Sequence, residues 1–216
     1  VIIVNDADLN LAASTMGGTF SGTATTGDIS DSGTLAITAA ATFITAANGS
    51  DIILDQPGNA FSNAVTMKAG TGGGGTFGNI TFVDSAAVKL HSSAGANGDL
   101  FIDGSTNLVV GGNLIITATT GNITQGAAVT VTRTSFFTTS ATDADITLSL
   151  ANALTGAVTL STAGSGGDAA LDNGTTALII AESTVRGDLT LTSGNASGIV
   201  DSGTITVGGD LFAITD

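Results

Sequence analysis

Two stretches decide the fold: GGTFSGTATTGDIS at residues 17–30 and GGNLIITATTGNIT at residues 111–124. They stand 94 positions apart, and that offset carries residues 17–54 onto residues 111–148 without a gap, with 15 of the 38 pairs identical. Most other pairs are conservative, such as Asp28 on Asn122 and Leu35 on Val129. After one net deletion the match resumes, with NAFSNAVTM from Asn59 lying on NALTGAVTL from Asn152. The missing residue falls in DQPGN, around the single proline, Pro57. A proline-bearing turn is where a repeat tolerates a change of length. A third copy starts at Gly187, where DSGTITV (residues 201–207) repeats DSGTLAI (residues 31–37). The copies therefore lie near residues 17–97, 111–186 and 187–216. A short element recurs through them: a glycine, usually Asp or Asn, then an apolar residue. Examples are Gly18-Thr19-Phe20, Gly98-Asp99-Leu100, Gly112-Asn113-Leu114, Gly187-Asp188-Leu189 and Gly209-Asp210-Leu211.

Between these marks the pattern has period two. AVTVTRT (128–134), DITLSL (145–150), AVTLS (157–161) and DLTLT (188–192) alternate β-branched or apolar residues with polar ones. Such runs are half-buried strands, each closed by Gly, Asn or Asp. The alanine-rich passage at residues 36–47 is helix-like by itself. The 94-residue offset lays it on TVTRTSFFTTSA (130–141), whose β-branched content reads as strand, so the alanines are assigned to strand as well. Phe43 answers to the Phe136-Phe137 pair in the repeat, and the three are the expected core-stacking aromatics.

Composition agrees. Of 216 residues 31 are glycine and 36 threonine, with one proline, one histidine and no cysteine, tryptophan or tyrosine. Glu, Lys and Arg, which a helical domain would favour, are nearly absent. A hydrophobic share of 42% excludes disorder. No apolar run approaches the ~18 residues of a spanning helix, so no membrane insertion is expected. The net charge of −14, with four cations, excludes nucleic acid as a partner.

Many short strands without helices leave a sandwich, a barrel, a propeller or a solenoid. Three features favour the solenoid. The repeats vary in length, small residues dominate as in stacked backbones, and both ends, Val1-Ile2-Ile3-Val4 and Leu211-Phe212-Ala213-Ile214, read as strand. At roughly 20–25 residues per coil the chain makes about 9–10 coils and a rod on the order of 45 Å long. The expectation is one solenoid over residues 1–216, with no internal boundary and cut from a longer protein.

The phrases GGNLIITATTGNITQGAAVTV, NALTGAVTLSTAGSGGDAAL and STVRGDLTLTSGN resemble the repeats of very large bacterial surface proteins of the filamentous-haemagglutinin type. The resemblance covers most of the chain from Gly17 onward. It implies a right-handed parallel β-helix, secretion through an outer-membrane partner, and a bacterial extracellular fibre that adheres to cells or glycans or builds a surface layer.

The chemical inventory is thin, and no catalytic or cofactor-binding residues are expected. The 17 aspartates gather beside Gly, Asn and Ser at strand ends, where Asp serves turns through the backbone. Lys68, Lys89, Arg133 and Arg186 are scattered and share no repeat position, unlike the clustered charges of a polysaccharide enzyme. His91 lacks partners for a transition-metal site. Calcium is the one metal left open, on Asp6-Ala7-Asp8 and Asp143-Ala144-Asp145. No Asp stands at the offset from the glycine run 72–75 that a calcium-binding nonapeptide needs. Arg186-Gly187-Asp188 spells an integrin-recognition tripeptide in a slot that elsewhere holds Gly-Gly-Asp or Gly-Gly-Asn, so one Gly→Arg change explains it. Thr130/Thr132, Thr190/Thr192 and Thr204/Thr206 are spaced too irregularly for an ice-binding array. The sequons at Asn48, Asn79, Asn122, Asn173 and Asn195 are about what composition gives. The expected function is a non-enzymatic fibrous segment acting in adhesion or as a surface filament, associating end to end or continuing into further repeats. A carbohydrate-active or ice-binding β-helix is the alternative.

Overall fold

The computed structural model describes residues 1–70, 77–91, 99–102 and 108–215. The glycine run 72–75 and Gly98 lie outside the described residues. The 28 described strands pair only in parallel, and among the described residues there is no helix. The alanine-rich passage is indeed strand, Leu35–Ile37 and Ala41–Thr45.

Two eleven-stranded sheets run the length of the molecule, and nine strands in line along the second sheet count about nine turns of a parallel β-solenoid. The first sheet begins with Ile2–Asn5 and ends with Leu211–Thr215, and the second runs from Leu9–Leu11 to Ile199–Asp201. Stacking follows chain order except in the first sheet, where Asp99–Ile102 lies between Val65–Ala69 and Val88–His91.

Each coil has a third, short side, and its position explains the 94-residue repeat. In the first two copies the chain makes a long strand, a short strand, then a third-side strand. In the first copy the long strand Phe20–Ala24 belongs to the first sheet, and the third side (Ser14–Met16, Leu35–Ile37, Ala60–Phe61) closes the return from second sheet to first. In the second copy the matching long strand Leu114–Ala118 belongs to the second sheet. The third side (Leu108–Val110, Val129–Val131, Ala153–Leu154) there bridges first sheet to second, along the opposite edge. The third copy returns its long strand Leu189–Ser193 to the first sheet. The offset thus spans a whole number of coils plus about half a turn.

The core is one column of ladders from Leu9 to Leu191. In the second sheet Leu54, Phe82, Ile116, Phe137 and Leu160 stack in register. Phe20, Phe43, Phe61 and Phe82 form a continuous aromatic pile, with ring centroids 5.3, 6.1 and 5.1 Å apart, the separations at which tilted and edge-to-face rings attract. Phe43 and Phe137 are fully buried, as expected, but Phe136 is 38% exposed. The 94-residue offset superposes Phe43 on Phe137 alone. Alternation along Ser135–Thr142 turns residues 135 and 137 inward and 136 outward, between Ile115 and Thr159.

Candidate functional site

The recurrent Gly-Asx-apolar element builds the most regular feature of the surface. The Asx residue stands just before the first inward residue of a strand, and its carboxyl or amide oxygen accepts the main-chain N–H of the equivalent residue one coil on. One ladder runs along the edge entering the second sheet. Oδ1 of Asp8 accepts from Asp28 (3.0 Å), Asp28 from Asp51 (2.9 Å), Asp51 from Asn79 (2.7 Å), Asn79 from Asn113 (2.8 Å) and Asn113 from Thr134 (3.1 Å). A second ladder runs along the edge entering the first sheet in the upper half. Asn122 accepts from Asp145 (2.9 Å), Asp145 from Asp168 (3.0 Å), Asp168 from Asp188 (2.7 Å) and Asp188 from Asp210 (2.7 Å). Where the acceptor is an aspartate the bond is charge-assisted and stronger than a neutral one.

The ladder also explains the glycine. A Cβ on Gly27 would stand 2.2 Å from Asp8 Oδ1, one on Gly187 2.0 Å from Asp168 Oδ1, and one on Gly209 2.1 Å from Asp188 Oδ1. Each glycine lies against the Asx of the coil before it.

A further device closes the corner after the long strand. Buried Thr45, Thr139 and Thr162 donate their hydroxyls to the carbonyls of Ser50 (3.0 Å), Ala144 (2.9 Å) and Gly167 (2.6 Å). Gly49 takes a φ of 77° inside this corner, and Asp143, at the equivalent repeat position, takes 58°.

The expected site residues fall within this framework. Asp6 accepts from the Thr25 hydroxyl (3.1 Å) while Asp8 begins a ladder, and Asp143 accepts from Gly166 N–H (2.7 Å) while Asp145 lies within one. Neither pair is joined by further acids or histidine into a metal-holding group among the described residues. His91 is half-buried on the strand Val88–His91, packed over Gly126. Lys68 is half-buried, whereas Lys89, Arg133 and Arg186 are exposed on separate strands and turns. In the Arg-Gly-Asp tripeptide Arg186 lines an open concavity with Thr162 and Gly164, Gly187 is buried, and Asp188 is a ladder member. Of the threonine pairs, Thr130, Thr190 and Thr192 are half-buried, and Thr132, Thr204 and Thr206 do not fall in one column with them. Among the sequon asparagines, Asn79 and Asn122 are ladder members and Asn173 is fully buried.

The Asx ladders were half-legible: the Gly-Asx element was visible, but its bond to the neighbouring coil was not, because that bond joins residues 20 to 34 apart in sequence. The fold and its ladders define a repeat protein of the β-solenoid class. The chain belongs to the family described as repeats of unknown function (DUF5649), whose model matches residues 1–68, 71–161 and 166–213. No curated protein and no solved structure matches it.

Proposed function

We propose that the chain is a non-enzymatic structural segment of a bacterial extracellular fibre, acting in adhesion or as a surface filament of the filamentous-haemagglutinin kind. The observation that carries this reading is the single ladder core, with two series of Asp and Asn side chains that bond each coil to the next. Many of the aspartates, threonines and asparagines among the described residues bond backbone groups. The cations, which an enzyme acting on acidic sugars would gather, stand apart.

End-to-end contact with a second copy, or continuation into further coils, is the partner this reading calls for. Ile2 is 81% exposed and Leu211 54% exposed on the first and last strands of the first sheet, and unpaired strand edges are templates for pairing. The long strand lies in the first sheet at both ends, so an added coil meets the phase it needs. Residues 1–216 examined by sedimentation should gain mass as concentration rises, and Lys or Pro placed in the terminal strands should suppress the gain. A monomer unchanged with concentration overturns the end-to-end contact, and turnover in a polysaccharide screen overturns the non-enzymatic reading.

A further inference from the structure

In four third-side strands the first inward residue gives its N–H to a buried side chain of the next coil. Leu35, Val129 and Leu154 donate to Oδ1 of Asn59, Asn152 and Asn173, each at 2.8 Å. Each asparagine then spends its amide hydrogens on an acceptor. Asn59 Nδ2 donates to Asp31 Oδ2 (2.6 Å), Asn152 to the carbonyls of Leu148 (3.0 Å) and Asp172 (2.8 Å), and Asn173 to the carbonyl of Leu154 (3.1 Å).

The fourth member of this series is not asparagine. Phe61 N–H bonds Oδ1 of Asp84 at 3.2 Å, and Asp84 is 1% exposed. An ionised carboxylate accepts only, so it can copy one half of what the asparagines do. The position is special in the fold. Ala60–Phe61 is the last strand of the lower third-side sheet, above which the third side moves to the opposite edge. A cavity of about 380 Å³ opens there, lined by Ala60, Phe61, Ser62, Asp84, Ser85 and Ala86.

We propose that Asp84 is a proton-operated latch on the seam where the third side changes edge: protonated, it is as neutral as the asparagines that fill the equivalent buried slots and holds the seam, and ionised, it places a charge in that slot and loosens it. Burial drives its carboxyl up to about 6, against the partial relief given by the N–H groups of Phe61, Ala86 and Ser85. The strands Ala60–Phe61 and Leu114–Ala118 bring no titratable side chain to it. The charged or titratable groups on the other neighbouring elements are Asp55 beyond Ile52–Leu54, Lys89 and His91 on Val88–His91, and Asp31 through Asn59. Because the folded value lies above the unfolded 3.8, the seam is firmest in acid and weakens as pH rises through about 6.

The test is amide exchange at Phe61, corrected for intrinsic rate, in ¹⁵N-labelled residues 1–216. Protection should fall about tenfold from pH 5.0 to 7.5, the change given by those two pKa values. Asp84→Asn should make protection at Phe61 high and flat across that range. A flat wild type, or a variant that keeps the wild-type slope, overturns the latch. A ¹³C titration of the Asp84 carboxyl in the wild type needs no variant to fold: a midpoint near 6 supports the proposal and one near 4 overturns it.

Discussion

Ser135, Phe136 and Phe137 show how much one residue step decides. In the second sheet the inward column reads Ile80, Leu114, Ser135, Val158, and the repeat counterpart of Ser135 in the first copy is Ala41. The Ser135 hydroxyl is the one buried side-chain polar atom without a partner among the described residues. An unmet hydroxyl costs about 1–3 kcal/mol, so Ser135→Ala should stabilise by about 1 kcal/mol. Phe137→Ala should cost about 3–5 kcal/mol, as removal of a fully buried ring does, and Phe136→Ala less than about 1 kcal/mol. Chemical denaturation of the three variants checks the order. Period two was readable in the sequence, but two adjacent phenylalanines offered no clue to which was inward. Only the 94-residue register, pairing Phe43 with Phe137, separates them. Asp84 was equally silent, because its burial depends on a change of edge that no local pattern encodes.

At the level of the element, Gly-Asx-apolar was legible as a repeated mark, and its physical meaning appears only when coils stack. The glycine is needed where a carboxylate lies over it, which makes the requirement positional. At Gly187 an added methyl would lie 2.0 Å from Asp168 Oδ1, whereas Gly18 has nothing within 4 Å. Gly187→Ala should therefore destabilise by about 1–3 kcal/mol, the usual range for overpacking, and Gly18→Ala should be near neutral. Thermal unfolding of the pair gives the comparison within one motif. The same geometry bears on the Arg-Gly-Asp tripeptide. Its glycine is required by the ladder and its aspartate accepts the Asp210 N–H, so two of its three residues have structural work in the coil.

For the whole molecule, the class of fold was readable because stacking repeats the same demands every coil, so small residues, period two and a long-range offset all pointed one way. What the offset concealed was the exchange of sheets between the first two copies, since the chain order long, short, third is the same in both. That exchange also distributes charge. The lower ladder is acidic at Asp8, Asp28 and Asp51 and then turns neutral at Asn79 and Asn113. The opposite ladder begins neutral at Asn122 and is acidic at Asp145, Asp168, Asp188 and Asp210. Each half of the rod thus carries its laddered carboxylates on a different edge, within a total charge of −14. Two rods laid side by side repel wherever acidic edges meet. Monovalent salt screens that repulsion over about 10 Å at 0.1 M, while a divalent ion can bridge oxygens from both partners directly. Lateral bundling, followed by light scattering, should rise with calcium, reverse on adding chelator, and exceed the level reached in sodium chloride of equal ionic strength. Equal scattering in the two salts would reduce the effect to screening, and equal scattering with and without chelator would leave calcium no part in it.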